Sequence, residues 1–434
     1  MGSLAHTERP DFDVVIAGAG VAGIRTAQLL NERGFRTGLI DPKVNEPEEK
    51  ALFVDTTKLP PGLFKGVLTS HINSHALINI DNPERSWQKA GNFSMAGLEY
   101  RSLHRSLLET VGPDVEIIEA RVMNSSENGR VNLTIDYGNG KQRQIRSDIL
   151  VDATGDYSTV SRKHIKRDQG RAAITDNPLV VWMMGVRGEG NFQPGTIIDP
   201  IGRDIGSVSW VTPLDKNRGD IVAAGYSRLS EVNFEKYMPY RDRLIEICRR
   251  LEICDLTRIE MKLSGVIRSE PIRFADVCGS KRLWQIGQAA GMADPLMGEA
   301  FTPAYIWPEV MVKMITDGLK PVDFYKQWRY GRPMFNYGPM LAMLHNRHKH
   351  EKQGQVGTNA LIYQMLTQDM SEEAAMMAVE SRKLPLDEGL RLAMRAVTNP
   401  ELRRILVELV GQYFGIVARD NVLTRTMTQM ANST

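Results

Sequence analysis

Asp13-Val14-Val15-Ile16-Ala17-Gly18-Ala19-Gly20-Val21-Ala22-Gly23 is the stretch that decides how this chain is read. A β-rich apolar run leads straight into glycines at the spacing G-x-G-x-x-G, and apolar residues then recur at helical spacing from Ala22 to Arg33. The order is strand, tight turn, helix. Gly18 permits the turn, Gly20 lets the backbone approach a pyrophosphate, and Gly23 lets the helix pack closely on the strand. Val21 and Ala22 open that helix, whose positive N-terminus meets the phosphates. A second strand, Thr37-Gly38-Leu39-Ile40, ends in Asp41, 18 residues beyond Gly23. A carboxylate there accepts hydrogen bonds from the adenosine ribose and repels a 2′-phosphate. The stretch therefore predicts a dinucleotide site, with Pro42 beside the acid as a further contact. It does not separate NAD from FAD.

Two later segments separate them. Ser147-Asp148-Ile149-Leu150-Val151-Asp152-Ala153-Thr154-Gly155 reads as a strand and turn, and Trp284-Gln285-Ile286-Gly287-Gln288-Ala289-Ala290-Gly291 leads through Met292-Ala293-Asp294-Pro295 to Gly298-Glu299. Together they resemble the second and third FAD motifs of the large flavoprotein group that includes p-hydroxybenzoate hydroxylase, geranylgeranyl reductases and lycopene cyclases. Ala153-Thr154-Gly155 stands where many members have Ala-Asp-Gly, and lycopene cyclases likewise carry Asp-Ala-Thr-Gly. The third motif matches geranylgeranyl reductases through Gly298-Glu299; Ala300 then replaces a glycine, and Gln288 replaces the Asp that bonds the ribityl chain. Glutamine still donates and accepts, so the resemblance implies altered rather than abolished FAD binding. Independently of it, the polar turn before Gly298 opens a helical stretch, Ala304–Thr316, whose N-terminal NH groups favour negative charge on a reduced flavin. Pro295 stiffens that turn, and Pro308 is expected to kink or shorten the helix.

The resemblance covers about residues 10–320. It implies an α/β fold: a discontinuous Rossmann-type FAD-binding domain (10–55, 98–170 and 275–325), a substrate domain with an antiparallel sheet (56–97 and 171–274) and a helical C-terminal domain (326–434). Residues 45–50 and 58–62 read as loops. Leu98–Val111 is amphipathic, and Arg105 on it resembles the family arginine that faces the cofactor. Val122, in the strand run Val115–Val122, is a further cofactor candidate. Glycines 138 and 140 mark a hairpin turn between Val131–Tyr137 and Gln142–Arg146. Strand signals recur at Leu179–Val186, Thr196–Asp199, Gly206–Thr212 and Asp220–Tyr226, with a helix near Tyr240–Leu251. Val208-Ser209-Trp210-Val211-Thr212-Pro213 resembles an aromatic element of geranylgeranyl reductases and, more loosely, of flavin halogenases. Trp210 over the flavin cavity suits a greasy or planar substrate; a Trp in the sheet core is the equal alternative. The stretch Ile221–Arg228 lacks the acidic pair that lycopene cyclases carry, which counts against that cyclisation.

Composition narrows the classes. The chain has 434 residues, 42% hydrophobic, and 54 Lys+Arg against 52 Asp+Glu, so no bulk charge points to nucleic acid. Cys248, Cys254 and Cys278 lack metal-ligand or C-x-x-C spacing and read as reduced thiols of a cytoplasmic protein. No apolar run nears the ~20 residues of a membrane span, and a peripheral membrane contact through a helix such as Leu402–Ala418 is the lesser use of that helix. His345-Asn346-Arg347-His348-Lys349-His350 is not read as a metal site, because interleaved cations oppose one. Methionines from Met340 to Met377 read as helix packing ahead of a lipid tunnel wall.

No second strand–G-x-G-x-x-G–helix unit occurs, so electrons are expected from NAD(P)H bound transiently at the flavin or from a partner such as a ferredoxin or flavin reductase. The reading that follows is an FAD-dependent oxidoreductase reducing a double bond of an apolar, isoprenoid-type substrate. Tyr226, Asp294 and Glu299 are the proton-donor candidates by position. A flavin monooxygenase is the alternative, with halogenation behind hydroxylation because Lys50, Lys58 and Lys65 lack a halogenase context. A non-redox FAD-dependent cyclase or isomerase stays open through Gln288 and Ala300.

Overall fold

The fold is a computed structural model that describes most of residues 9–155, residues 179–201, 208–233, 260–268, 277–293 and 300–318, and scattered positions between 242 and 252. In chain order the regular elements are β1 (Phe12–Ala17), α1 (Val21–Asn31), β2 (Thr37–Ile40), β3 (Ala51–Asp55), β4 (Leu68–His71), β5 (Ser74–Asn79), β6 (Trp87–Ala90), β7 (Met95–Glu99) and α2 (Tyr100–Glu109). There follow β8 (Val115–Ile118), β9 (Arg121–Glu127), β10 (Val131–Asp136), β11 (Gln142–Asp152), β12 (Leu179–Glu189), β13 (Thr196–Ile201), β14 (Val208–Pro213) and β15 (Arg218–Arg228). The last are β16 (Glu260–Arg268), β17 (Cys278–Ser280), β18 (Leu283–Gln285) and α3 (Phe301–Asp317).

β1 is hydrogen-bonded in parallel to β2 on one side and to β11 on the other, β2 to β8, and β11 to β18. Val14, Ile16 and Val151 send their side chains to one face, where they join Ile24 and Leu30 of α1, Leu103 and Leu107 of α2, and Tyr305, Met311 and Val312 of α3 in one core. Val15, Ala17 and Leu150 face the other way, onto Leu133, Ile135 and Ile145 of the β9–β10–β11 meander. Both faces of the parallel strands are thus buried, which is why they read as continuous apolar runs rather than alternating ones. α1 is tied to α2 by Gln28, whose amide donates to the Leu107 carbonyl and to the Thr110 hydroxyl.

A second sheet has the order β16-β12-β15-β14-β13-β5-β6, antiparallel except where β13 and β5 run parallel. A third holds β3, β7 and β4. β3 touches both β14 and α3, and so links the second sheet to the first.

Several boundaries differ from the sequence reading. Val115–Val122 is two strands, because the chain turns at Glu119-Ala120 between β8 and the meander. β11 runs unbroken from the hairpin to Asp152, so one strand serves the meander at its start and the parallel sheet at its end. The segment from 42 to 97, read largely as loops at its start, carries five strands and a turn at Pro61–Phe64. α3 continues past Pro308 to Asp317 instead of stopping there; the lost N–H is offset by burial of Tyr305, Trp307, Val310 and Met311 in the shared core. The expected helix over 240–251 and the helical region from 326 onward lie outside the described residues, apart from positions such as Ile245 and Cys248.

In the second sheet Arg187 and Asp220 face each other across β12 and β15, with side chains 9% and 8% exposed and Nε 2.8 Å from Oδ1. Removing one partner strands a charge in a low-dielectric interior. Asp220→Ala is expected to lower the stability by roughly 3 kcal/mol, and an Arg187→Met second change to recover part of the loss, both read from urea unfolding midpoints.

Candidate functional site: the crevice at the strand carboxyl ends

From β1 the chain builds outward through β2 and β8, then returns to the opposite side of β1 with β11 and β18. The carboxyl ends of β1 and β11 therefore flank a topological switch point, where ligands of open parallel sheets bind. Backbone bonds draw the strand ends together: Gly18 N–H donates to Ile40 O at 2.7 Å, Ala153 N–H to Ala17 O at 2.7 Å, and Ile286 N–H to Asp152 O at 2.9 Å.

The glycines are required by that closeness. Gly18 has φ +102°, and a Cβ on it would lie 2.4 Å from the Ala153 carbonyl oxygen. A Cβ on Gly23 would lie 1.9 Å from the Gly18 oxygen and 3.3 Å from the Ala153 side chain. Gly20, which caps α1, would meet nothing within 4 Å, so the turn is open on its side alone among the three. Val21 and Ala22 are buried behind it. Gly287, with φ +64°, stands with its Cβ position 3.0 Å from the Ala22 methyl, which seats the third segment on the start of α1. Gln288 is half-buried on the turn Gly287–Ala290. Asp152 Oδ1 accepts from the Thr154 N–H and hydroxyl at 3.0 and 2.6 Å, turning the chain out of β11 toward Ala153-Thr154-Gly155.

Asp41 is half-buried and held through both carboxylate oxygens. Its Oδ2 accepts from Ala19 N–H at 2.9 Å and its Oδ1 from Lys43 N–H at 2.7 Å. Beside it lies a cavity of about 540 Å³ lined by Pro42, Ala120, Arg121, Met123, Tyr137 and neighbours. Val122 points its side chain into the core, 8% exposed, while the residues on either side line that cavity.

α2 meets the turn through His104, which sequence reasoning did not single out. Arg105 is exposed. One position earlier, His104 is only 3% exposed, and its Nε2 lies 2.7 Å from the Ala19 carbonyl oxygen. Arg101 is half-buried and reaches the Pro47 carbonyl at 3.4 Å. Tyr100 packs at 5.8 Å from the His104 ring, with the Lys50 ammonium 4.5 Å above its face; burial pushes its phenol well above the usual range. The heptad-like positions Leu103 and Leu107 mark the buried stripe of α2, and the histidine that flanks Leu103 was the available signal.

Ala300 is the half-buried N-cap of α3. On the second sheet, Trp210 is half-buried on β14 opposite Val222, and Tyr226 stands on β15 opposite Val181. β14 touches β3, which also contacts α3, so the sheet carrying Trp210 borders the layer that holds the crevice. Pro295, Gly298 and Glu299, with Asp294, Cys254, the His345–His350 run and the methionine-rich region, lie outside the described residues. Among the described residues no cluster could hold a metal ion, and no helix is long and apolar enough to cross a membrane.

No family model and no curated protein sequence matches the chain. Solved structures do. A geranylgeranyl bacteriochlorophyll reductase-like protein from Thermoplasma acidophilum aligns with TM-score 0.64 at 17% identity, over 92% of this chain and 99% of that one. A probable FAD-dependent monooxygenase from Pseudomonas aeruginosa aligns with TM-score 0.53 at 16% identity, over 78% and 96%. The myxobacterial chondrochloren halogenase, a variant of FAD-dependent halogenases, aligns with TM-score 0.53 at 14% identity, over 93% and 97%. The chain thus has the fold of these proteins, the α/β Rossmann-type fold with an antiparallel second sheet that the sequence resemblance implies.

Burial lowers the pKa of His104, and Arg105 adds to the effect, against the opposing pull of the Ala19 carbonyl and Asp41. The folded ring resists a proton that the unfolded chain accepts below about pH 6.5. Stability contributed by the neutral ring is therefore full above that pH and falls as pH drops toward the folded value. Unfolding midpoints of the protein minus those of His104→Gln, measured from about pH 8 to about pH 5, are expected to be flat above and to decline below.

Proposed function

We propose that this chain is an FAD-dependent oxidoreductase acting on an apolar small molecule, and that its reaction is reduction of a double bond in an isoprenoid or polyene-type substrate. One observation carries the cofactor assignment: four loops far apart in sequence, at Gly18–Gly23, Asp41, Ala153–Gly155 and Gly287–Ala290, converge on one crevice at the switch point. The residues fit an FAD. Gly20 leaves the open space that a pyrophosphate fills, with the N-terminus of α1 behind it. Asp41 at the end of β2 would accept from the ribose hydroxyls, and the cavity of about 540 Å³ between Pro42 and the meander would take the adenine.

In this reading Gly18, Gly20, Val21, Ala22 and Gly23 hold the pyrophosphate, and Asp41, Pro42 and the backbone around Val122 hold the adenosine. Ala153, Thr154 and Gly155 border the ribityl chain, with Gly287 and Gln288 on its other side. Pro295, Gly298, Glu299 and Ala300 are assigned to the flavin by the family resemblance, and the first turn of α3 would favour negative charge there. On α2, exposed Arg105 is the candidate pyrophosphate or ribityl contact, and buried His104 bonds the Ala19 carbonyl of the first turn. Bound FAD supplies two-electron transfer. The chain places the substrate, excludes water beneath the second sheet and delivers a proton, with Trp210 as the apolar wall and Tyr226 or Glu299 as donor. Reducing equivalents come from NAD(P)H or a partner reductase. The fold likeness to a geranylgeranyl reductase-like protein supports double-bond reduction. The likeness to a probable FAD-dependent monooxygenase supports a second reading, hydroxylation of a natural product.

Purified protein is expected to be yellow or to take up FAD in preference to FMN or NAD, and Asp41→Ala to weaken FAD by about tenfold or more; a chain that binds no FAD would falsify the reading. Chemically reduced holoprotein mixed anaerobically with a polyprenyl alkene, and separately with labelled oxygen and the same compound, divides the two reactions. Gain of a hydrogen pair without oxygen supports the reductase. Label in the product instead assigns the oxygenase.

A further inference from the structure

Ala19 is gripped at both of its peptide groups. Its N–H donates to Asp41 Oδ2 at 2.9 Å, and its carbonyl oxygen lies 2.7 Å from His104 Nε2. The second bond belongs to the peptide joining Ala19 to Gly20. In a planar trans peptide the carbonyl and the following N–H point in opposite directions. A histidine that draws the Ala19 oxygen down onto α2 therefore turns the Gly20 N–H up, away from α2. Gly20 is also where the turn is open, since a Cβ there would meet nothing within 4 Å.

His104 is an expensive choice for a residue that only packs. It is 3% exposed beside Leu103 and Leu107, and its Nδ1 is buried without a hydrogen-bond partner. With Nε2 donating, Nδ1 is the bare acceptor of a neutral ring, and a polar atom left so costs stability that a leucine would not. What the ring adds in return is one directional bond to the cofactor turn. Tyr100 supports it from the side, at 5.8 Å.

We propose that His104 is a positioning residue for the pyrophosphate of the bound dinucleotide, orienting the Gly20 N–H toward the phosphates through its bond to the Ala19 carbonyl. The role rests on the FAD reading for its natural ligand, but it concerns only the pyrophosphate. It assigns to α2 a function in cofactor binding that Arg105, exposed on the same helix, does not perform through this contact.

The test titrates apoprotein with FAD, ADP and adenosine by calorimetry, for the unaltered chain and for His104→Gln, His104→Leu and His104→Asn. Glutamine puts an N–H donor near the Nε2 position, asparagine falls short of it, and leucine has none. Leucine and asparagine are expected to weaken FAD and ADP by roughly tenfold, the scale of one lost hydrogen bond, and to leave adenosine unchanged. Glutamine is expected to restore both to within about threefold. A leucine variant that binds as tightly as the unaltered chain overturns the proposal. So does an equal loss for all three ligands, the mark of general loosening, or a glutamine variant no better than leucine. Should leucine fail to fold, the asparagine–glutamine contrast decides alone. Unaltered protein that binds ADP but not FAD refutes the flavin reading while the role of His104 is scored on ADP; binding of neither refutes both.

Discussion

The contact on which the rest depends is backbone against backbone: the Gly18–Gly23 turn lying on the Ala153 peptide at the ends of β1 and β11. The clearances there leave no room for a methyl group at Gly18 or Gly23. Once the strand ends are that close, α1 must start immediately above them, and its first turn must face the crevice. Gly287 completes the arrangement by letting the third segment sit against Ala22. A parallel sheet buried on both faces supplies the rigidity that holds such clearances, since its cores on the two sides cannot shift independently.

Around this contact the polar groups do two kinds of work. Some close turns: Asp152 caps the exit of β11 through Thr154, and Gln28 bolts α1 to α2. Others fix the direction of particular peptide groups, as Asp41 and His104 do for Ala19. Asp41 shows how far one side chain reaches, because its two carboxylate oxygens tie Ala19 in the first turn to Lys43 beyond the end of β2.

Much of the first sheet was legible because its signals are local. A β-rich run ending in G-x-G-x-x-G reports strand, turn and helix within a few residues, and the terminal acid of β2 follows at a fixed reach. The second and third segments were legible by resemblance, and Ala153–Gly155 and Gly287–Ala290 lie at the ends of β11 and β18, against the first turn. Less legible was the stretch between 42 and 97. Its short strands belong to two different sheets, and neither pairing leaves a periodic mark. Pro308 misled for a related reason: a proline signals lost backbone bonding, while the tertiary burial that offsets it is invisible from nearby residues.

The sequence by itself determined that β1 runs through a tight glycine turn into α1, and which glycines make that turn, because these depend on glycine conformation and short-range spacing. Only the tertiary structure decided which face of α2 meets that turn. Arg105 and His104 are adjacent on one helix, and helical geometry sends their side chains about 100° apart. Which of the two is buried depends on how α2 packs on α1, through contacts such as Gln28 to Leu107 that join residues 79 positions apart.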